Sequence, residues 1–434
     1  MIRNVPPALI LGVAALWIGT VAGQQYPDNL SLNDPAIQYH RASEADPVAR
    51  LADRLGRGGA VLQFRQDGTG YLASALTQLG ITVDSQVLVF SKTSMQAARI
   101  SPRNPRAIYF TDDVAVGFVR GGNVLEFAAV NPQQGVMFYT LPNQEPAEEP
   151  VLSRRGGCLR CHQGPATAGV PGMFVSSVYP RPSGFPSRLG AIVTDHRTAF
   201  EDRWGGWYVN GHTGTMRHRG NAVGRNLDRP DTLDLEGAAN LLDLHRKIDP
   251  AGYLSPLSDI VALMTLEHQT QMTSLLTRLG WRARIARHGS SHDVTSRSLA
   301  SDITDLVAYM LFVDEPLLKE PVTGVSSFTR TFVRRGPRDN RGRSLREFDL
   351  TRRLFRYPLS YMVYSAAFDA LPDDMRNEVY GLLFDVLVGK NRHPRFTRLP
   401  VDDRMAILEI VRDTKSDLPL YWREIPPSVT IRKH

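Results

Sequence analysis

An α+β protein is what this sequence predicts, with a strand-rich N-terminal half and a helical C-terminal half. Two observations carry that expectation. Between Gln86 and Val209 the chain breaks into short runs rich in β-branched and aromatic residues, divided by Gly, Asn and Pro. From about Leu235 the apolar period lengthens to three or four and stays there. Strands followed by helices, not alternating with them, is the α+β pattern.

The elements follow in order. Pro35 to Arg57 carries weak helical character through Val48, Leu51 and Leu55, and Tyr71 to Leu79 is a second short helix. Gln86–Phe90, Ala107–Phe110, Val114–Val119, Val124–Val130 and Val136–Leu141 are strands, and Arg120-Gly121-Gly122-Asn123 is a hairpin turn. A Pro/Glu-rich link, Pro142 to Pro150, precedes a Gly-rich loop. Met173–Tyr179, Leu189–Thr194 and Gly206–Val209 are further strands. Helices are expected over Ala239–Lys247, Pro256–Ala286, Leu299–Phe312, Tyr357–Ala370, Asp374–Val388 and Asp402–Asp413.

Composition bounds the class. With 434 residues, 42% hydrophobic and 22% charged, the chain has enough apolar material for a large core. No Gly-X-Y or heptad period is present, and the one long apolar run lies at the start. A disordered chain, a coiled coil and a polytopic membrane protein are thereby excluded. Arg3, the apolar run Ala8 to Val21 and the small-residue exit Thr20-Val21-Ala22-Gly23 make residues 1–23 a secretory signal. An uncleaved N-terminal anchor is the alternative, and the only membrane contact the chain would then have. The expected division is residues 1–23 signal, 24–234 strand-rich and 235–434 helical, with the mature protein periplasmic or otherwise exported. The net charge is +7, and all but six of the 51 basic residues are arginine. That surplus suits an acidic partner. Nucleic acid is not expected, because no reading module is recognisable. Ten arginines fall between Arg330 and Arg356 against Asp339, Glu347 and Asp349, either a docking surface or a solvated face.

Only two cysteines occur, in Gly156-Gly157-Cys158-Leu159-Arg160-Cys161-His162-Gln163-Gly164. The spacing C-x-x-C-H is the attachment signature of haem c. Two sulfurs three positions apart on a tight turn reach the vinyl groups of adjacent pyrrole rings. The next side chain, His162, then offers an imidazole nitrogen to iron as the proximal ligand. Gly156, Gly157 and Gly164 let the backbone approach the ring edge. A thioredoxin-like redox pair shares C-x-x-C, but Arg154-Arg155-Gly156-Gly157 is not the usual lead-in. A structural zinc site lacks its second pair of ligands.

On these residues the chain resembles c-type cytochromes, and more closely the large exported monohaem cytochrome-c-domain proteins of undefined function. Arg203-Trp204-Gly205-Gly206-Trp207-Tyr208-Val209 and Arg217-His218-Arg219-Gly220-Asn221 look typical of that group, within a resemblance spanning about Gln86 to Ala286. The resemblance implies one covalent haem c and electron transfer with a redox partner protein. In small cytochromes the motif ends the first helix; here it lies far along the chain between strands, so an all-helical fold is not expected.

An electron carrier needs a sixth iron ligand. The leading candidates are His268, Met173 and His218. His268 lies on the apolar stripe Val261, Met264, His268, Met272, Leu275, where a histidine needs a partner. Met173 follows a turn-rich Gly-Val-Pro-Gly loop long enough to wrap a ring edge. His218 sits in an Arg-His-Arg cluster whose arginines also suit haem propionates. A carrier uses both axial positions. A haem enzyme, peroxidase- or oxygenase-like with an open distal site, is the competing function, because the chain exceeds a small cytochrome domain by some hundreds of residues.

Overall fold

The structure is a computed structural model that describes residues 29–43, 45–145, 150–224, 233–289 and 296–423. The expected signal, residues 1–23, lies outside the described residues. The architecture is α+β, strands first and helices second.

Strands β1 (Val87–Val89), β2 (Arg106–Phe110), β3 (Val114–Val119), β4 (Val124–Asn131), β5 (Gly135–Pro142) and β6 (Ser153–Arg154) form an antiparallel meander. The order across the sheet is β6-β5-β4-β3-β2-β1-β9, where β9 (Trp207–Tyr208) returns from far along the chain to pair with β1. The β3–β4 turn closes at Gly121, whose φ of +71° is a left-handed conformation that glycine adopts without strain. β4 alternates Leu125, Phe127 and Ala129 inward, whereas β3 is buried along its whole length, so the middle of the sheet is covered on both faces. A separate hairpin joins β7 (Val175–Pro180) to β8 (Pro186–Thr194).

Helices α1 (Pro47–Gly56) and α2 (Leu72–Gln78) precede the sheet, and α3 (Leu159–His162) is a single turn after β6. Asp46 caps α1 by accepting from the Val48 and Ala49 N–H groups. The helical half contains α4 (Ile260–His288), α5 (Ser296–Met310), α6 (Phe328–Arg334), α7 (Ala366–Asp369), α8 (Asp373–Leu387) and α9 (Val401–Thr414). Among the described residues no helix is long and apolar enough to cross a membrane.

α4 is the centre of the molecule. Asp259 caps it, its residues from Ile260 to Leu279 are buried throughout, and it packs on β5, β7, α5, α6, α7 and α8. One continuous apolar core runs from Ile37 and Tyr39 through the sheet and α4 to Trp422. Polar residues on α4 are matched internally. Gln269 donates to the Thr111 carbonyl and accepts from the Tyr361 hydroxyl, while Thr265, Thr273 and Thr277 return their hydroxyls to carbonyls one turn back.

Two expected helices are replaced by other structure. Ala239–Lys247 is a series of turns, because its polar groups bond outward. The Leu241 carbonyl accepts from Gly211, the Asn240 side chain accepts from the Thr213 N–H, and Asn240 is left-handed at φ +53°. Tyr357–Ala370 holds only a 3-10 turn, Tyr361–Tyr364, and α7. Ser360 and Ser365 each cap a new start there, which divides what the apolar pattern reads as one helix. α6 lies at the start of the basic stretch.

Candidate functional site

The chain reaches the Cys158–His162 stretch from the sheet edge. β6 pairs with β5, a 3-10 turn covers Gly156–Cys158, and α3 completes the helical path through His162. Leu159 is buried and anchors this path to the core. Cys158 is half-buried and Cys161 exposed, and both are free thiols. Burial raises the Cys158 thiol above its ordinary value.

His162 is locked by a reciprocal pair of hydrogen bonds to Gly172. The Gly172 N–H donates to the His162 carbonyl at 2.9 Å, and His162 Nδ1 meets the Gly172 carbonyl at 3.0 Å. A carbonyl can only accept, so the proton is on Nδ1 and Nε2 carries the lone pair. Phe138 and Phe174 flank the ring at centroid distances of 4.9 and 5.5 Å. Burial lowers the imidazole to about 4, so it is neutral at pH 7. Gly172 is itself wedged against α4. A Cβ there would come within 2.7 Å of Ser274 Oγ and 3.0 Å of Thr167 Cβ. Arg278 of α4 holds the same loop by donating to the Ala168 carbonyl at 2.8 Å.

The flanking glycines have a different cause. Gly157 and Gly164 have nothing within 4 Å of the place a Cβ would occupy, and neither has a left-handed φ. Neither packing nor backbone conformation requires glycine there, and the space a Cβ would enter is open at both. A cleft of about 230 Å³ opens next to the motif, lined by Tyr39, His40, Phe138, Arg154, Arg155 and Gly156.

The other sequence candidates lie apart from this loop. His268 is fully buried in α4, with Nδ1 at 2.9 Å from His196 Nδ1 and Nε2 at 2.8 Å from Ser360 Oγ. Both its nitrogens are engaged, and burial first, then Arg197, lowers it to about 3. The partner that an apolar stripe demands of it is thus His196 and Ser360. His218 is buried beside Trp204 and Phe200, with ring centroids 5.1 and 5.9 Å away. Its neighbours Arg217 and Arg219 pair with Glu236 and Asp202. Met173 is half-buried and follows the Gly172 carbonyl that holds His162. Trp204 and Trp207 are core aromatics whose indole N–H groups reach Glu267 and the Ser176 carbonyl, each at 2.8 Å.

Sequence reasoning missed the cleft. Tyr39 and His40 stand more than a hundred positions before the motif, and nothing local marks them. The basic stretch is also different at close range: every arginine from Arg335 to Arg356 has a carboxylate partner, drawn from Asp112, Asp339, Glu347, Asp349, Asp403 and Glu409. Among the described residues no group of three or more His, Cys, Asp and Glu stands together as a metal site. The chain matches no family model, no curated protein and no solved structure.

Proposed function

We propose that this is an exported, monohaem c-type cytochrome acting in electron transfer, with Cys158 and Cys161 as thioether attachments and His162 as axial iron ligand. One observation carries the reading. The two free thiols and an imidazole with Nδ1 tied to a backbone carbonyl share one helical turn, and that carbonyl leaves Nε2 as the metal-binding atom. The open space at Gly157 and Gly164 suits a flat ring lying against the turn.

Bound haem supplies a one-electron couple between ferric and ferrous iron. The rest is done by the chain. Cys158 and Cys161 would hold the group through thioether bonds at its two vinyl positions. The Gly172 carbonyl holds the Nδ1 proton, which fixes the tautomer and makes Nε2 a stronger donor. Phe138 and Phe174 shield the imidazole from water. Exposed Arg154, Arg155 and Arg160 beside the motif suit an acidic redox partner.

The full chain, exported in a host with working haem-attachment machinery, tests this. A denaturing gel stained for peroxidatic iron is expected to show one coloured band at the chain's mass. The Cys158→Ala/Cys161→Ala double variant is expected to lose it. A colourless wild-type band overturns the reading. Carbon monoxide distinguishes the competing haem enzyme: an open distal site binds it stoichiometrically on reduction, and a carrier with two axial ligands does not.

A further inference from the structure

The His162 imidazole stands over one particular face of the sheet. Directly paired residues of antiparallel strands point to the same side, and the register sets Phe138 opposite Ala128, Glu126 opposite Gly117, and Gly117 opposite Ile108. Glu126 is two positions from Ala128 on β4 and Arg106 two from Ile108 on β2, so all six share that side. This outer face is unlike the other. Ala107, Tyr109, Leu125, Phe127 and Ala129 are buried in the core, whereas Arg106, Ile108, Glu126 and Ala128 stay half-exposed. Phe138 packs 4.9 Å from the His162 ring, which puts the motif at the β5 side of the half-open face.

Gly117 lets two long side chains cross it. A Cβ there would meet Glu126 Oε2 at 3.3 Å and Arg106 Cδ at 3.7 Å, so the two lean over β3 toward each other, and Arg106 Nη1 donates to Glu126 Oε2 at 2.9 Å. Glu126 is engaged at both oxygens, because Oε1 accepts from Ser94 Oγ at 2.9 Å and Gln96 Nε2 at 3.0 Å. Arg106 has donors to spare. Nη1 alone of its three side-chain nitrogens has a hydrogen-bond partner among the described residues, Nε is buried without one, and the side chain is 20% exposed. A guanidinium with unmatched donors beside a half-open floor suits a carboxylate. Both charges also reach the motif electrostatically: each acts on the His162 imidazole, and Glu126 on the Cys158 thiol.

We propose that this outer face is the bed of the attached haem, with Arg106 as the anchor of its propionates. This rests on the haem c reading above. A haem carries its vinyl groups on one half of the ring and its propionates on the other, so thioethers at Cys158 and Cys161 leave the propionates on the side away from the motif. Arg106 on β2 is three strand spacings from β5, about 14 Å, comparable with the span of a haem from vinyl edge to propionates. Ala128 and Gly117 keep the floor between them low. Arg217 and Arg219, which the sequence also offers for propionates, are spent on Glu236 and Asp202.

The test uses full-length holoprotein in which Glu126→Gln first removes the carboxylate that Arg106 holds in the fold. This variant is compared with Glu126→Gln/Arg106→Gln and Glu126→Gln/Arg219→Gln, each assayed for covalent haem by pyridine haemochrome and for folding by far-UV circular dichroism. Haem content is expected to be equal, because the thiols make the attachment. Adding Arg106→Gln is expected to shift the propionate bending band in the resonance Raman spectrum and to lower the midpoint potential, since loss of a positive charge favours ferric iron. Arg219→Gln is expected to do neither. An arginine that only braced Glu126 has no effect in this background. An unmoved band with Arg106→Gln, or the same shift with Arg219→Gln, overturns the bed and its anchor while the haem c reading stands. Should the Arg106→Gln double variant not fold, Arg106→Lys in the same background is read instead: it keeps the charge but not the planar fork, so a shifted band is expected and an unmoved one overturns the assignment. Absence of covalent haem in the wild type overturns both readings.

Discussion

His218 illustrates how much one buried ring contributes to the pH response of the protein. Its Nδ1 finds no hydrogen-bond partner among the described residues, and burial, then Arg217, lowers the ring from 6.5 to about 4. Between those two pH values the unfolded chain binds a proton that the folded chain refuses. A depressed histidine therefore contributes stability that is fully present above 6.5 and is lost as pH falls towards about 4. Urea unfolding of wild type and His218→Gln across that window is expected to give slopes that differ by about one proton, the variant being flatter. Parallel curves would show that the ring is not held neutral. The same residue scale separates the cysteines from the imidazole: the spacing of Cys158, Cys161 and His162 is legible in the sequence, whereas the choice of nitrogen is made by Gly172, ten positions away.

At the scale of elements, the motif turn is a lever resting on α4. The Gly172 loop bonds His162 on one side and meets Ser274, Thr167 and the Arg278-held Ala168 carbonyl on the other. Gly172→Ala is expected to force the loop off α4 at a cost of about 1–3 kcal/mol. The displaced carbonyl then loosens His162, so thermal unfolding should shift down and, on the proposed haem c reading, the haem spectrum should acquire a high-spin component. An unchanged spectrum in a destabilised variant would mean that the loop supports the fold without orienting the ring. The strand pattern is legible because half-buried strands alternate, as β4 does from Val124 to Ala129. The Ala239–Lys247 turns are not legible as such, because outward bonds from Asn240 and Leu241 to a distant loop outcompete a local apolar period.

For the whole molecule, the strand-rich and helical halves share one core with α4 inside it. Arg203, 5% exposed, donates to Glu267, 0% exposed, at 2.6 Å, and Trp204 donates to the other carboxylate oxygen. This pair ties the loop before β9 to the middle of α4. Removing one member leaves the other charge buried and unmatched, so Glu267→Ala is expected to cost about 3–5 kcal/mol. Replacing both with apolar residues of similar size should cost much less. Calorimetry of Glu267→Ala is expected to show one transition at lower temperature; two separated transitions would mean that the halves fold apart. The basic stretch also changes meaning at this scale. Its arginines from Arg335 onward meet carboxylates on the sheet-side loop at Asp112 and on α9 at Asp403 and Glu409, so much of their charge is neutralised within the fold.

The sequence by itself determined the α+β class, the order of strands before helices, and the spacing of Cys158, Cys161 and His162. Each of these is a local pattern, set by a repeat of two, a repeat near four, or a spacing of three. Only the tertiary structure decided which partners the buried histidines take, that Gly172 orients His162, and that the chain's start brings Tyr39 and His40 to the cleft beside the motif. Those are contacts between residues ten to more than a hundred positions apart. Burial makes each polar group find a partner, but which partner depends on how the whole core closes.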